Sequence, residues 1–240
     1  MSEAALAGRS ALVTGASRGI GAKIAESLGA AGARVALVAR TRAALEEVAA
    51  RTGRDAVVID ADLSVEESAV MAARQIHDSL GGAPDILVNN AGIFRIMRLE
   101  AMAPQEFSTM LRLNLLAPFV ILREFLPGMR ERGSGHVITI GSVADRTIYP
   151  GNGAYSASKF GMRAIHEVLR EETRGSGIRA TLISPASVDT DIWESIRFPG
   201  SAGPPDRSAM MSSEAVANAV LYAVTQPAGV NIDELRLSKA

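Results

Sequence analysis

Short apolar runs alternate along this chain with longer stretches in which apolar residues recur every three or four positions, a pattern that predicts strands alternating with helices. The runs fall at residues 11–13, 33–39, 55–60, 85–89, 137–141, 178–184 and 231–237. Helical spacing follows most of them: an alanine-rich stretch to about residue 31, then 42–51, a stretch opened by Ser64, a long one through Phe107, Met110, Leu111, Leu113, Leu115 and Phe119, one starting near Tyr155, and 214–225. Ser64 with Glu67 three residues later has the spacing of a capping box. Pro118 is expected to bend its helix. Strands and helices in this regular alternation predict an α/β fold, a doubly wound and mostly parallel sheet with helices on both faces. Residues 1–240 show no repeat, linker or low-complexity block, so one domain suffices.

Composition changes this picture little and narrows the function. The 240 residues are 48% hydrophobic and 21% charged with a net charge of -1, which leaves no electrostatic footprint for nucleic acid or an anionic membrane. The absence of cysteine excludes disulfides, thiol catalysis and cysteine-bound metal clusters. His77, His136 and His166 show no metal-ligand spacing, so no metal is expected. No apolar run reaches the roughly 20 residues that span a bilayer, and Met1 to Ser10 lack a signal-peptide pattern. A cytoplasmic protein is the expectation.

The first chemistry-bearing stretch is Thr14-Gly-Ala-Ser-Arg-Gly-Ile-Gly21. A strand precedes it and a helix follows, the context in which glycine lets backbone amides and a helix amino terminus approach a phosphate. Lys23 lacks the preceding glycine and following hydroxyl residue of a nucleoside-triphosphate loop. The second strand ends in Arg40-Thr-Arg42, where a dinucleotide fold would place an acid against an adenosine ribose. No acid stands there, and Arg40 with Arg18 favours a 2'-phosphate, hence NADP over NAD. Asp62 serves either an adenine amino group or turn chemistry, and Asn89-Asn-Ala-Gly92 either admits a ribose or bonds neighbouring backbone. Asn114, polar amid apolar neighbours, either holds a water and carbonyls or mends a proline-disrupted helix.

The second stretch is Ser142 to Lys159. Tyr155 and Lys159, four residues apart, leave one helix face a turn apart. A neighbouring ammonium stabilises phenolate, so the pair predicts a phenol of lowered pKa that works as acid or base. A glycine-rich loop between Tyr149 and Gly153 brings Ser142, which follows a buried strand, back to the same substrate oxygen. Residues 191–211, rich in proline and glycine with Trp193, Ile196 and Phe198 among them, read either as a lid over an apolar pocket or as a surface excursion.

Taken together, the glycine motif, Asn89-Asn-Ala-Gly92, and Asn114, Ser142, Tyr155 and Lys159 in this order and spacing resemble the short-chain dehydrogenase/reductase family over essentially the whole chain. The resemblance implies a seven-stranded Rossmann-type sheet, NADP(H) or NAD(H) as hydride carrier, and a dimer or tetramer packed through the helices that carry Asn114 and Tyr155. It assigns proton transfer to Tyr155, the substrate oxygen to Ser142, the nicotinamide ribose to Lys159 and a relay water to Asn114. Cofactor contacts are implied at Gly15, Ser17, Arg18, Gly19, Ile20 and Gly21, at Arg40 and Thr41, at Asp62 and Leu63, at Asn90, Ala91 and Gly92, at Tyr155 and Lys159, and at Pro185, Val188 and Thr190. Ala186 departs from the family's usual glycine, and the carboxyl terminus lacks a glycine-rich ending. The implied reaction is NADP(H)-dependent interconversion of a small to medium ketone and a secondary alcohol. Two alternatives remain: a 3-oxoacyl-acyl-carrier-protein reductase, with Arg130, Arg132, Arg170 and Arg174 as a patch for the acidic carrier, and a non-catalytic NADP-binding sensor.

Overall fold

The computed structural model describes residues 5–53, 55–196 and 206–240. Seven strands form one sheet: β1 (Ser10–Thr14), β2 (Arg34–Ala39), β3 (Val57–Asp60), β4 (Ile86–Asn89), β5 (Gly135–Ile140), β6 (Ile178–Pro185) and β7 (Glu234–Leu237). Their order is β3-β2-β1-β4-β5-β6-β7, and every pairing is parallel. The helices are α1 (Gly19–Ala30), α2 (Arg42–Thr52), α3 (Glu66–Leu80), α4 (Pro104–Leu111), α5 (Ala117–Arg132), α6 (Gly153–Glu172) and α7 (Ser213–Val224).

Because successive strand residues point to opposite faces, the continuous apolar runs feed two separate cores. Ala11, Val13, Val35, Leu37, Ile86 and Val88 pack with α1, α2 and α7 on one face. Leu12, Ala36, Val38, Leu87 and Val137 pack with α3, α5 and α6 on the other. Burying a Leu, Ile or Phe side chain contributes about 1.5–3 kcal/mol, and Leu12, Ile24, Leu37, Ile86, Leu87 and Phe125 are all fully buried. The chain therefore leaves β1 toward one sheet edge and β4 toward the other. A crevice opens where the order reverses, beyond the carboxyl ends of β1 and β4, the place where open α/β sheets bind ligands.

Two local expectations change. The Ser64 capping box does not form: the Ser64 hydroxyl and amide both donate to Asp62 Oδ1, at 2.7 and 2.9 Å, closing a turn, and α3 begins only at Glu66. Between α4 and α5 the chain stays helical but widens into a π turn at Arg112–Leu116, where Ala117 N donates to Arg112 O. Pro118 has no N–H for the helical ladder, and the wide turn lies just before it. Asn114, 2% exposed, lies inside that turn.

Candidate active site

The turn after β1 is shaped by contacts that only glycine permits. Gly15 has φ 66°. A Cβ on Gly21 would lie 2.2 Å from the Gly15 carbonyl oxygen and 2.5 Å from Asn90 Nδ2. Asn90 Nδ2 donates to Thr14 O at 2.9 Å and Gly15 O at 3.3 Å, while Thr14 Oγ1 donates to Val88 O and accepts from Asn90 N and Ala91 N. Asn89 to Gly92 thus braces the loop through the β1 and β4 strand ends. Arg18 enters α1 without a side-chain cap, leaving the helix amino terminus with amides and partial positive charge for an anion. Gly19, φ 56°, sits under Thr190, whose Cγ2 would be 3.2 Å from an added Cβ.

Beyond β2, Arg42 is committed to Asp60 at 2.8 Å and Glu46 at 3.0 Å. Arg18 and Arg40 are exposed, line the cleft and have no ion pair among the described residues. Asp62 also lines the cleft, with its carboxyl held below the usual range by the Ser64 hydroxyl first and by the charge of Arg40 among lesser causes.

At the other end, Ser142 follows β5 and caps the turn Val143–Asp145, its hydroxyl accepting from Ala144 N at 3.1 Å. That hydroxyl is also near enough to the Tyr155 phenol, in the first turn of α6, to favour its ionised form. Lys159, 7% exposed, donates from Nζ to Ile140 O at 2.9 Å and lies 5.7 Å from the Tyr155 ring centroid. The expected lowering of the phenol pKa is not what this geometry produces. Burial pushes Tyr155 above its usual value, the nearby Ser142 hydroxyl opposes this, and the ammonium is turned toward the Ile140 carbonyl. Burial brings Lys159 itself down to about 8. Asn114 stands behind the cleft wall: its Oδ1 accepts from Ile93 N at 2.8 Å, and its Nδ2 donates to Ile93 O at 2.9 Å and Ser158 Oγ at 3.1 Å. It ties the π turn to the strand exit and to α6, with a backbone carbonyl among its partners and none on its own helix.

One cleft of about 970 Å³ runs past all the remaining predicted residues, from Gly15, Ser17, Ile20, Thr41 and Leu63 through Ala91 and Gly92 to Ser142, Pro185 and Val188. Arg40 follows β2 and Ser142 follows β5, so the two lie three strand spacings apart, roughly 14 Å. Near Tyr155 the wall is aromatic: Phe94 packs on the Tyr155 ring at 4.6 Å and meets Trp193 edge-on at 5.6 Å, with Trp193 Nε1 donating to Val188 O. The expected lid spans residues 191–211, of which 197–205, Phe198 included, lie outside the described residues. The four arginines of the alternative carrier patch all have partners, most of them solvent-exposed acids. Arg170 pairs with Glu167 and Asp233, Arg174 is bidentate on Glu171, Arg130 lies 3.9 Å from Glu172, and Arg132 bonds Ala83 O and Pro84 O beside Asp85. Asp145, unassigned from sequence, proves to be the buried charge nearest the Ser142 turn.

With this geometry in place, comparison with known proteins is decisive for kinship. The sequence profile of the short chain dehydrogenase family matches residues 9–199. The chain belongs to that family. A solved relative within it is a metagenomic short-chain oxidoreductase in complex with NADP, 33% identical, TM-score 0.84, covering 98% of this chain and 100% of that one. The 3-ketoacyl-(acyl-carrier-protein) reductase of Brucella melitensis complexed with NADH is 25% identical, with TM-score 0.86 and 97% of each chain covered. Among sequence relatives, the glycine betaine reductase ATRR of Emericella nidulans is 36% identical over 239 residues, which take in 96% of this chain. The chain spans 18% of that protein's length.

Proposed function

We propose that this short-chain dehydrogenase is an NADP(H)-dependent oxidoreductase that interconverts a small to medium ketone and a secondary alcohol, with Tyr155 as proton donor and acceptor. The observation that carries this reading is the meeting of the Ser142 hydroxyl, the Tyr155 phenol and Lys159 at one end of a cleft whose other end holds Arg18 and Arg40, without an ion pair among the described residues. The residues fit a dinucleotide. The Gly15 to Gly21 turn packs on Asn90 and Ala91 too closely for any Cβ at Gly15 or Gly21, the α1 amino terminus offers amides to a pyrophosphate, and two guanidiniums without an ion pair among the described residues suit a 2'-phosphate.

When bound, the nicotinamide supplies or accepts the hydride. This chain's part is to place and protonate. Ser142 and Tyr155 each present a hydroxyl to the same point, so a carbonyl oxygen there accepts two hydrogen bonds, and the negative charge that develops on it is met before it forms. The phenol, protonated at neutral pH, hands its proton to that oxygen in reduction and takes one back in oxidation. Lys159 is held by Ile140 O at a depth where its charge is little screened, and it stabilises the phenolate left behind. Phe94 and Trp193 give this end an aromatic wall that favours an apolar substituent on the substrate. Self-association belongs to the same proposal. Leu116, Phe119, Phe160 and Val168, all exposed, lie on the π turn and helices that carry Asn114 and Tyr155.

The test is NADPH oxidation, followed by nicotinamide absorbance, against ketones, diketones, quinones, sugars and ketoacyl thioesters, with Tyr155→Phe beside the wild type. Turnover that disappears in the variant while NADPH still binds is the expected result. Wild-type turnover in Tyr155→Phe would overturn the acid/base assignment, and tight NADPH binding without turnover of any class would favour the sensor.

A further inference from the structure

We propose that Asp145 is a positioning residue of the catalytic site, its buried carboxylate holding the Ser142 turn and keeping the Tyr155 phenol in its proton-donating form. The claim rests on the acid/base reading of Tyr155 for its functional meaning, but its geometry is independent of any substrate.

Asp145 is 1% exposed. Its Oδ2 accepts from Ser184 Oγ at 2.5 Å and from Ser142 N at 3.4 Å; its Oδ1 accepts from Arg146 Nε at 2.7 Å and lies 3.7 Å from Arg163 Nη1. The carboxylate is pressed so closely on the backbone before Ser142 that a Cβ on Gly141 would be 2.7 Å from Oδ2. The partners come from distant parts of the chain: Ser184 from the end of β6, Arg163 from α6, and Glu234 from β7, which pairs with both Arg146 and Arg163. Arg163 also reaches Glu167 at 3.2 Å. The orientation of Ser142 is therefore set by a network that spans the turn, α6 and the last two strands.

Stability alone is a weak reason for such a network. Taking charges out of water costs several kcal/mol per ion, and a buried pair rarely returns more than it costs. The electrostatic consequence at the active site is more specific. The charged groups facing Asp145 are Arg146 on its own turn, Tyr155, Lys159 and Arg163 on α6, and, across the arginines, Glu167 and Glu234; His166, adjacent to Arg163 and Glu234, is neutral because burial brings it to about 4. Of these, Tyr155 and Lys159 are the two that would share a proton-transfer step. The Asp145 charge opposes phenolate and favours ammonium, so it biases both toward the protonated state. That is the state required before a proton is given to a carbonyl under reduction, so the network sets the pH range over which the site is ready to donate.

The protein carries three tyrosines, at 149, 155 and 222, which makes a direct titration feasible. Tyrosinate absorbance is recorded against pH on the wild type, Asp145→Asn, Glu234→Gln and Tyr155→Phe, with circular dichroism marking where the fold is lost. The component missing from Tyr155→Phe belongs to Tyr155. In Asp145→Asn it is expected to move down by about one pH unit. In Glu234→Gln, which removes a more distant negative charge, it moves the same way by less, and this variant carries the test if Asp145→Asn does not fold. A Tyr155 component that stays in place in the folded variants, with only the melting temperature lowered, would overturn the proposal and leave an ordinary structural ion network. Retained turnover in Tyr155→Phe would instead remove the acid/base reading while the titration still decided what Asp145 does to the phenol.

Discussion

His136 and His166 tie this fold to pH in a way that can be worked through. Both lie in the sheet-helix interior, 0% and 1% exposed, with His136 Nε2 2.8 Å from Thr181 Oγ1 and His166 Nδ1 2.9 Å from Thr139 Oγ1. Burial is the main reason that His166 falls to about 4 and His136 to about 3, with Arg170 and Arg163 adding to the first and Arg179 to the second. Both values lie below the ordinary ~6.5 of an unfolded histidine. The unfolded chain therefore binds these protons first, and the histidines' contribution to stability is complete above about pH 6.5 and lost as pH falls toward 4 and then 3. For His166 the loss between about pH 7.5 and pH 5 is about 2 kcal/mol, and His136 adds about as much over the same range. The perturbation is His166→Gln, which keeps a polar partner for Thr139 and removes the titration. Urea unfolding followed by circular dichroism at both pH values should show the wild type losing about 4 kcal/mol from these two groups and the variant about 2 kcal/mol. An identical pH dependence in the two proteins would mean that His166 takes up its proton without unfolding, and the burial argument would fail.

Two further outcomes follow from the cofactor cleft. Arg40→Asp should weaken NADPH binding about tenfold to a hundredfold, the size of a charge-assisted hydrogen bond of about 1.5–3 kcal/mol, with little effect on NADH; fluorescence titration giving equal losses for both would refute the 2'-phosphate assignment. Gly21→Ala must move the Gly15 carbonyl or Asn90, at an overpacking cost of about 1–3 kcal/mol. Its NADPH affinity should fall by more than tenfold with the circular dichroism unchanged, and an unaltered dissociation constant would show that the turn does not hold the pyrophosphate.

What could be read from the sequence divides by the range of the interactions involved. All seven strands and the helices were legible because each apolar run must be buried on both faces and each amphipathic stretch on one. The clearest shortfalls lie at the edges, where β3 and β7 are four residues each, shorter than the runs that announced them. There a strand has a partner on one side only, and propensity no longer fixes where pairing ends. Ser64 misled for a related reason. Serine followed by glutamate at three residues fits a cap, but Asp62 two residues earlier competes for the same hydroxyl and wins it for a turn. The glycine turn, Asn90, Ser142, Tyr155 and Lys159 were legible because motif and element agree there: strand, sharp turn, helix.

Asp145 and the four arginines show what local reading lacks. From sequence, Asp145 has no assigned role, and Arg130, Arg132, Arg170 and Arg174 are basic helix ends open to an acidic carrier. A local reading treats charge as belonging to its own helix or turn. In the fold, charge belongs to whatever the sheet brings alongside. Asp145 gains Ser184 from 39 residues away and shares two arginines with Glu234 of the final strand. The same assembly gives Arg170 to Asp233, and it seats Arg132 on Ala83 O and Pro84 O, 49 and 48 residues distant. A carrier protein would meet these arginines already beside acids, which lowers the positive field it would feel there. Arg18 and Arg40, by contrast, stand at turns after the first two strands, where the sheet offers no acid within ion-pair distance among the described residues. Arg34, Arg74, Arg112 and Arg236 likewise have no ion pair among the described residues, but Arg18 and Arg40 are the two arginines that line the cleft, which is the physical reason to expect the anion there.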